Sequence, residues 1–433
     1  MNQAVQSRRL QIVGWFGAMP LAAVFITLTM GQLAVAEPWS HWRGPSGNGT
    51  ADATAQPPTE FSGSKHVAWK VELPGRGSAS PVVWKDRVFA VSATPASDGT
   101  PRKLAFKTFC FARSDGKQLW EATAVEAVPH EGTHATNGYA SASPCTDGEY
   151  VYSHFGSRGL YCYTLDGQLV WKRDDFGPMR TRNSFGEGSS PTLAGQLILV
   201  PWDHEGPSFL YALDKRTGKT VWKASRDEPT CWATPLVVAV GDQRQVVMNG
   251  QNYARAYDLE TGAELWRCDG QTERPAASAV ADGGLIFVAS GFRGSFLGAF
   301  RPDGRGDIRG SDHVVWTLDR DTPDVASPLL SQGRLYFYKG KSGLLTCVDA
   351  QTGKVHYQAE RIPGVSSTYA SPVAAGGHVY LTDRNGTITV IKDSPTLQVV
   401  ATNTVGEPID ATPAPDGRDL FLRTERSLIC VRH

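Results

Sequence analysis

The sequence predicts an all-β protein: an eight-bladed β-propeller of four-stranded antiparallel blades, its ring closed by an N-terminal strand in the last blade. Three ladders of residues predict it. The first is the aromatic that ends each unit, Trp69, Trp120, Trp171, Trp222, Trp266, Trp316 and then Tyr357 and Val400 as substitutes, spaced 41 to 51 residues apart. The second is a Ser/Thr-Pro pair ahead of an apolar run: Ser80, Ser143, Ser190, Thr234, Ser327, Ser371 and Thr412, each followed by proline, with Ser278-Ala279 filling the remaining place. The third is a small or narrow residue in the third strand, Cys110, Cys162, Ala212, Ala256, Ala299, Cys347, Val390 and Cys430, which in six of the eight units lies nine or ten positions before the aromatic. A period of roughly 40–50 residues holding several short strands is the signature of propeller blades.

The clearest copy of the unit is Tyr211–Trp222, YALDKRTGKTVW. Asp214 is placed to accept hydrogen bonds from the backbone of a tight turn. Gly218 supplies the positive φ that closes the turn. Trp222 offers a broad packing face and one N–H that needs an acceptor. The first copy of the aromatic, Trp69 in VAWKVEL, precedes any inner strand, and the last unit ends in LICVRH without an aromatic strand. Residues 67–73 are therefore expected to serve as the outer strand of the last blade, which removes exposed sheet edges.

Three segments follow. Residues 1–36 read as a secretory leader, with Arg8-Arg9, an apolar run from Ile12 to Met30 and the small-residue site Ala34-Val35-Ala36. A periplasmic or secreted location is expected from it. Residues 37–66 lack periodicity and are rich in Gly, Pro and Ser, so they form an irregular arm whose Trp39 and Trp42 should pack on the body. Residues 67–433 form the propeller. With 43 basic and 43 acidic side chains the chain carries no net charge, which argues against a general polyanion binder and against nucleic acid as a partner. Membrane contact is expected only if the leader stays attached.

Four of the seven cysteines belong to the third ladder, and Cys145 falls on an inner strand. Cys231 and Cys268 flank one blade and either pair or remain buried thiols.

Candidate chemistry is sparse. His130-Glu131-Gly132-Thr133-His134 satisfies H-E-x-x-H, a zinc pattern that requires both histidines on one face of a helix. Pro129, Gly132 and Asn137-Gly138 place it in a loop instead, so no metal site is expected. No nucleophile elbow or phosphate-binding loop occurs in its required context, and catalytic residues are unassigned. The segments that share one face of such a ring are the approaches to the inner strands and the turns between second and third strands. The approaches hold Tyr139, Glu187, Trp232, Arg274, Asp324, Tyr369 and Asp410. Long connections at 93–105, 123–142 and 174–189 point to blades 1–3, since long loops on a rigid scaffold carry function. The expected ligand-binding residues are Tyr139, Arg180, Arg182, Asn183, Glu187, Trp202, Asp203, His204, Trp232 and Tyr253. Arginines can hold a carboxylate or phosphate, and the indoles can stack on a ring.

ALDKRTGKTVW and AYDLETGAELW match A-x-D-x-x-T-G-x-x-x-W throughout, and CVDAQTGKVHY matches with Tyr at the end. On these residues the chain resembles the pyrroloquinoline-quinone-type (PQQ-like) propeller repeat over residues 67–433. The arm WSHWRGPSGNG, with ASASPCTDGEYVYSHFG and TCWATPLV, looks like exported propeller proteins of planctomycete-type bacteria. The resemblance implies two kinds of relative. One is the propeller scaffold of outer-membrane protein assembly, a lipid-anchored non-enzyme; no cysteine for lipid attachment sits near the cleavage site here. The other is the quinone-dependent dehydrogenases, which hold calcium beside a catalytic Asp and often carry adjacent, bonded cysteines. No Cys-Cys occurs here, and the calcium set finds no match residue by residue. The reading is an exported binding or scaffolding module for a protein or a small polar ligand, with no cofactor expected. A quinone-dependent oxidoreductase using PQQ is the alternative, and a hydrolase or lyase on the loop face the third.

Overall fold

Alternation of apolar and polar residues in short runs, each ended by a Gly or Asp turn, forces strand-and-turn structure with little room for helix. The computed structural model describes residues 37–433 and, ahead of them, only Gln11 and Gly14. The leader reading of residues 1–36 therefore lies outside the described residues. Eight sheets follow one another round a ring. Blade 1 comprises Val82–Trp84, Arg87–Pro95, Leu104–Ala112 and Gln118–Ala127, paired in that order from the axis outward. Blades 2 to 7 repeat the pattern and end on outer strands Leu169–Arg173, Thr220–Arg226, Glu264–Cys268, Val314–Leu318, Val355–Arg361 and Val399–Thr404. Blade 8 takes three strands from the C-terminal end, Ala414–Asp416, Asp419–Arg423 and Ser427–Arg432, and its outer strand is Val67–Glu72. The ring is closed as the unpaired first strand required.

The first and third ladders turn out to be one device. Trp69, Trp120, Trp171, Trp222, Trp266, Trp316 and Tyr357 lie directly opposite Cys430, Cys110, Cys162, Ala212, Ala256, Ala299 and Cys347. A narrow partner lets each ring lie across its own sheet and reach the next blade. Five of the seven, all but Trp266 and Tyr357, there cover the glycine of the following Asp-to-Gly turn. A Cβ at Gly116, Gly167, Gly218, Gly262 or Gly353 would stand 2.6–2.8 Å from the indole of the blade before. The five indole N–H groups concerned donate to a carbonyl of that same turn at 2.8–3.0 Å. Gly218 is thus needed twice, for its φ of +69° and for the indole of Trp171 above it.

Two blades depart from the repeat, each for a visible reason. Blade 5 replaces its Asp-to-Gly turn with the longer connection 301–313, of which Gly306–Asp307 pairs in parallel with the outer strand of blade 4. Blade 4 is therefore five-stranded, and Trp266 donates to Gln245 Oε1 at 3.1 Å instead of to a turn carbonyl. Val400 does not hold the eighth aromatic position. Ala401 lies opposite Val390, and Val400 is 37% exposed. The next blade is the closing one, whose third and fourth strands come from the two ends of the chain, so no hairpin turn exists for an aromatic to dock on. Phe61 of the arm packs in that cluster instead.

The Ser/Thr-Pro ladder forms the hub. Each backbone N–H donates to the hydroxyl of the next blade: Ser80 to Ser143, Ser143 to Ser190, Ser190 to Thr234, Thr234 to Ser278, Ser278 to Ser327, Ser327 to Ser371 and Ser371 to Thr412, at 2.8–3.1 Å. The closing step meets no such bond among the described residues, and Ser80 Oγ is buried without a partner.

The arm lies across one end of this hub and touches all eight blades. Trp39 and Ser40 carbonyls accept from Val83 and Thr146. His41 Nε2 meets Pro191 O at 3.1 Å. A Cβ on Gly47 would stand 2.9 Å from Leu236. Asn48 exchanges two side-chain bonds with Ala281, Thr50 Oγ1 donates to Leu330 O, Ala51 N donates to Ala374 O, and Trp39 N donates to Asp416 Oδ1. Arg43 is buried and gives its guanidinium to the carbonyls of Pro328, Pro372 and Asn48.

All seven cysteines are free and buried, so Cys231 and Cys268 are core thiols. The connection at 93–105 is shorter than its sequence suggested, because strands run to Pro95 and resume at Leu104.

Trp222 is 8% exposed and bonded to Leu259 O at 2.8 Å. Trp222→Ala should cost roughly 3–5 kcal/mol in chemical denaturation, whereas Val400→Ala should cost under about 1 kcal/mol, as a half-exposed surface change does.

Candidate functional site

The approaches to the inner strands converge on the axis at the end opposite the arm. They enclose a funnel of about 460 Å³, floored by Trp42 of the arm. A cavity of this size is in the range of small-molecule sites. Its wall is aromatic at Phe185, Trp232, Phe292 and Tyr369 and charged at Arg274, Lys341, Asp324 and Asp410. Trp232 is fixed by its N–H to Gly186 O at 2.7 Å, and the Tyr369 hydroxyl accepts from Thr136 Oγ1 at 3.1 Å.

The charges are mostly satisfied inside the wall. Lys341 lies 3.3 Å from Asp324, and Arg384 grips Asp410 at 2.6 and 3.1 Å. Arg384 also lies over Tyr369, 4.2 Å from the ring centre. Arg274 differs. Its guanidinium rests 3.4 Å from the centre of Phe292 and 5.3 Å from that of Phe185, with no carboxylate within ion-pair distance among the described residues. Burial lowers its affinity for the proton, and the charges of Arg293 and Arg182 add to that against the opposing pull of Asp324.

Of the ten residues expected to bind a ligand, Trp232 lines the funnel. Tyr139, Glu187, Asp203 and again Trp232 surround a separate cavity of about 30 Å³, room for one or two waters. The others are held in the loops and blades around it. Tyr139 donates to Glu131 O at 3.1 Å. Glu187 accepts from Ser157 N at 2.7 Å and from its hydroxyl. Asp203 and Arg226 form a fully buried two-point ion pair at 2.8 and 3.0 Å. His204 meets Pro207 O at 3.1 Å and accepts from Arg180 N. Arg182 N donates to Thr230 Oγ1, and Asn183 sits exposed at φ 55°. Trp202 is buried against Phe176, and Tyr253 lies under Arg255 and Arg267. Of the funnel lining that the expected set omits, Asp324, Tyr369 and Asp410 stand two or three positions ahead of a Ser/Thr-Pro pair, as Trp232 stands two ahead of Thr234, whereas Phe185, Arg274, Phe292 and Lys341 do not. That offset is the signal in the sequence.

The H-E-x-x-H residues are otherwise engaged. Glu131 accepts from Thr181 N and Oγ1, His130 meets Met179 O at 2.6 Å, and His134 Nδ1 meets Thr136 Oγ1. Among the described residues no three of His, Cys, Asp and Glu are grouped to hold a metal ion.

His154 is 1% exposed beside the small cavity, and burial lowers its pKa to about 4. The unfolded chain therefore binds a proton that the folded chain refuses between about pH 6.5 and 4, so stability falls as pH drops through that window. His154→Leu should flatten this part of the stability–pH curve in urea titrations; an unchanged slope would mean that other groups carry it.

A ring of eight blades, six of them with a tryptophan in the outer strand, and a one-ended funnel on its axis define a β-propeller built from the PQQ-like repeat. The chain belongs to the family described as outer membrane protein assembly factor BamB, whose profile matches residues 108–309 and 304–399. No curated protein matches the sequence. Solved structures share the fold at low identity. BamB from Moraxella catarrhalis is 13% identical with a TM-score of 0.57, covering 84% of this chain and 98% of that one. The computationally designed Ika8 protein is 12% identical with a TM-score of 0.58, covering 85% and 100%. Quinohemoprotein alcohol dehydrogenase from Comamonas testosteroni is 10% identical with a TM-score of 0.62, covering 91% and 80%.

Proposed function

We propose that this protein is an exported binding or scaffolding module that takes a protein segment or a small polar ligand into the axial funnel. The carrying observation is the funnel itself: the arm floors one end, and the open end presents Trp232, Phe292, Tyr369 and Arg274 on rigid strand approaches. The family's description as an assembly factor supports a protein partner. The periplasm or cell exterior is the proposed location, on the leader-like residues 1–36. The nine residues that brace the neighbouring loops would shape the mouth, and Trp232 would touch the ligand.

The likeness to quinohemoprotein alcohol dehydrogenase makes a bound PQQ the second reading. The dehydrogenases' calcium–quinone arrangement does not fit the wall: Asp324 and Asp410 are each held by a cation, and no two cysteines adjoin. Purified protein incubated with PQQ and calcium should show no alcohol- or sugar-dependent dye reduction. Substrate-dependent reduction, lost in Asp324→Asn or Asp410→Asn, would replace the binding reading with an oxidoreductase.

A further inference from the structure

Beside the funnel, at the seam between blade 8 and blade 1, lies a second cavity of about 190 Å³ bounded by Arg76, Gly77, Asp410, Arg423 and Glu425. We propose that it is a site for a small oxyanion, a carboxylate or a phosphate-like group, held by Arg423 and Arg76.

Arg423 carries the argument. It stands at the end of a central strand of blade 8, is 2% exposed, and has no carboxylate within ion-pair distance among the described residues. Its Nη1 donates to Val91 O across the seam, and its Nε is buried with no partner. A buried, unpaired guanidinium is costly unless an anion or several acceptors compensate it. The molecule supplies its own contrast. Arg43 is equally buried, equally without a carboxylate and likewise leaves its Nε unpartnered, but three backbone carbonyls accept from its two Nη groups. Arg423 has one, and a cavity beside it. Gly77 packs closely at the seam: a Cβ there would stand 2.4 Å from Ala140 O and 3.1 Å from Arg423 Nη2. Burial lowers the pKa of Arg423 to about 10, so it remains cationic at neutral pH.

The rest of the lining agrees. Asp410 is neutralised by Arg384. Arg76 is exposed at the rim and forms no ion pair. Glu425 is the one opposing charge, exposed and not within 4 Å of a basic group. An anion bound here would complete the coordination of Arg423 and tie the last blade to the first, at the step where the hub lacks its hydroxyl bond. The cavity shares Ser78, Thr136, Asn137 and Asp410 with the funnel wall, while Arg76, Arg423 and Glu425 belong to it alone.

Calorimetric titration of the purified chain with phosphate, sulfate and acetate, against chloride at equal ionic strength, tests it. One saturable site is expected, with a melting temperature that rises with that anion and not with chloride. Preference for phosphate or sulfate marks a free tetrahedral ion as the occupant, and preference for acetate marks the carboxylate of a larger ligand. Arg76→Gln should weaken binding about fivefold or more, Glu425→Gln should tighten it, and Arg423→Met should abolish it. Arg76 and Glu425 are exposed, so their variants report even where Arg423→Met does not fold. No saturable binding up to about 20 mM, a hundredfold above ordinary sub-millimolar ligand affinities, would overturn the proposal, as would affinities unmoved by both Arg76→Gln and Glu425→Gln.

Discussion

Removing Val67–Glu72 should abolish the single cooperative melting transition of the ring. The strand pairs with Ser427–Arg432 along most of its length and brings Trp69, 7% exposed, onto the turn of blade 1. Lys70 also bridges to the buried Glu407 at 2.6 Å. Its loss exposes a sheet edge in blade 8 and strips the cover from the Gly116 turn, leaving the ring open. Losing one docked tryptophan alone costs roughly 3–5 kcal/mol, and whole domains are stable by only about 5–15 kcal/mol. Calorimetry of the deletion variant should show a broad, low-enthalpy transition, or none. A variant melting like the parent would mean that the first strand only decorates a ring closed by other contacts.

The second large effect is expected at Asp203. Its carboxylate is buried against Arg226, which also donates to Tyr257 Oη at 2.9 Å and to Asn249 O at 3.2 Å. Asp203→Ala leaves that guanidinium buried with neutral acceptors only, so a loss of roughly 3–5 kcal/mol is expected in urea denaturation. The double variant Asp203→Leu/Arg226→Met should recover most of it, because both charges leave together. If Asp203→Ala instead kept full stability, the pair would have to be open to water, and Asp203 would again be available to a ligand.

These two positions show what the sequence made legible. The repeat was readable because each blade must supply the same few parts: a turn glycine, an aromatic to cover it, a narrow residue beneath the aromatic and a hub hydroxyl. Val400 was not readable: it stands as a substitute in the aromatic ladder, and only the closed ring shows that no hairpin turn follows it to be covered. Blade 4's fifth strand was not readable. Gly306–Asp307 has neither length nor alternation and pairs only because the long connection 301–313 folds back. The funnel was half readable. Trp232, Arg274, Asp324, Tyr369 and Asp410 all stood among the inner-strand approaches, but nothing in their types set them apart from the polar groups of the long loops. Asp203, Glu187 and His204 carry the residue types of a site and spend them on buried ion pairs and turn bonds. Only three-dimensional proximity separates the two uses.

Site-specific photo-crosslinking tests the central claim most directly. A benzophenone side chain placed at Tyr369, in the funnel wall, is compared with one at Leu119, exposed on the outer strand of blade 1. Each variant is expressed as the full chain in its native host, irradiated and weighed intact. The funnel account predicts a discrete mass adduct at Tyr369 that is lost in Trp232→Ala, and none at Leu119. Adducts formed at Leu119 with none at Tyr369 would place the working surface on the outer rim and contradict the account.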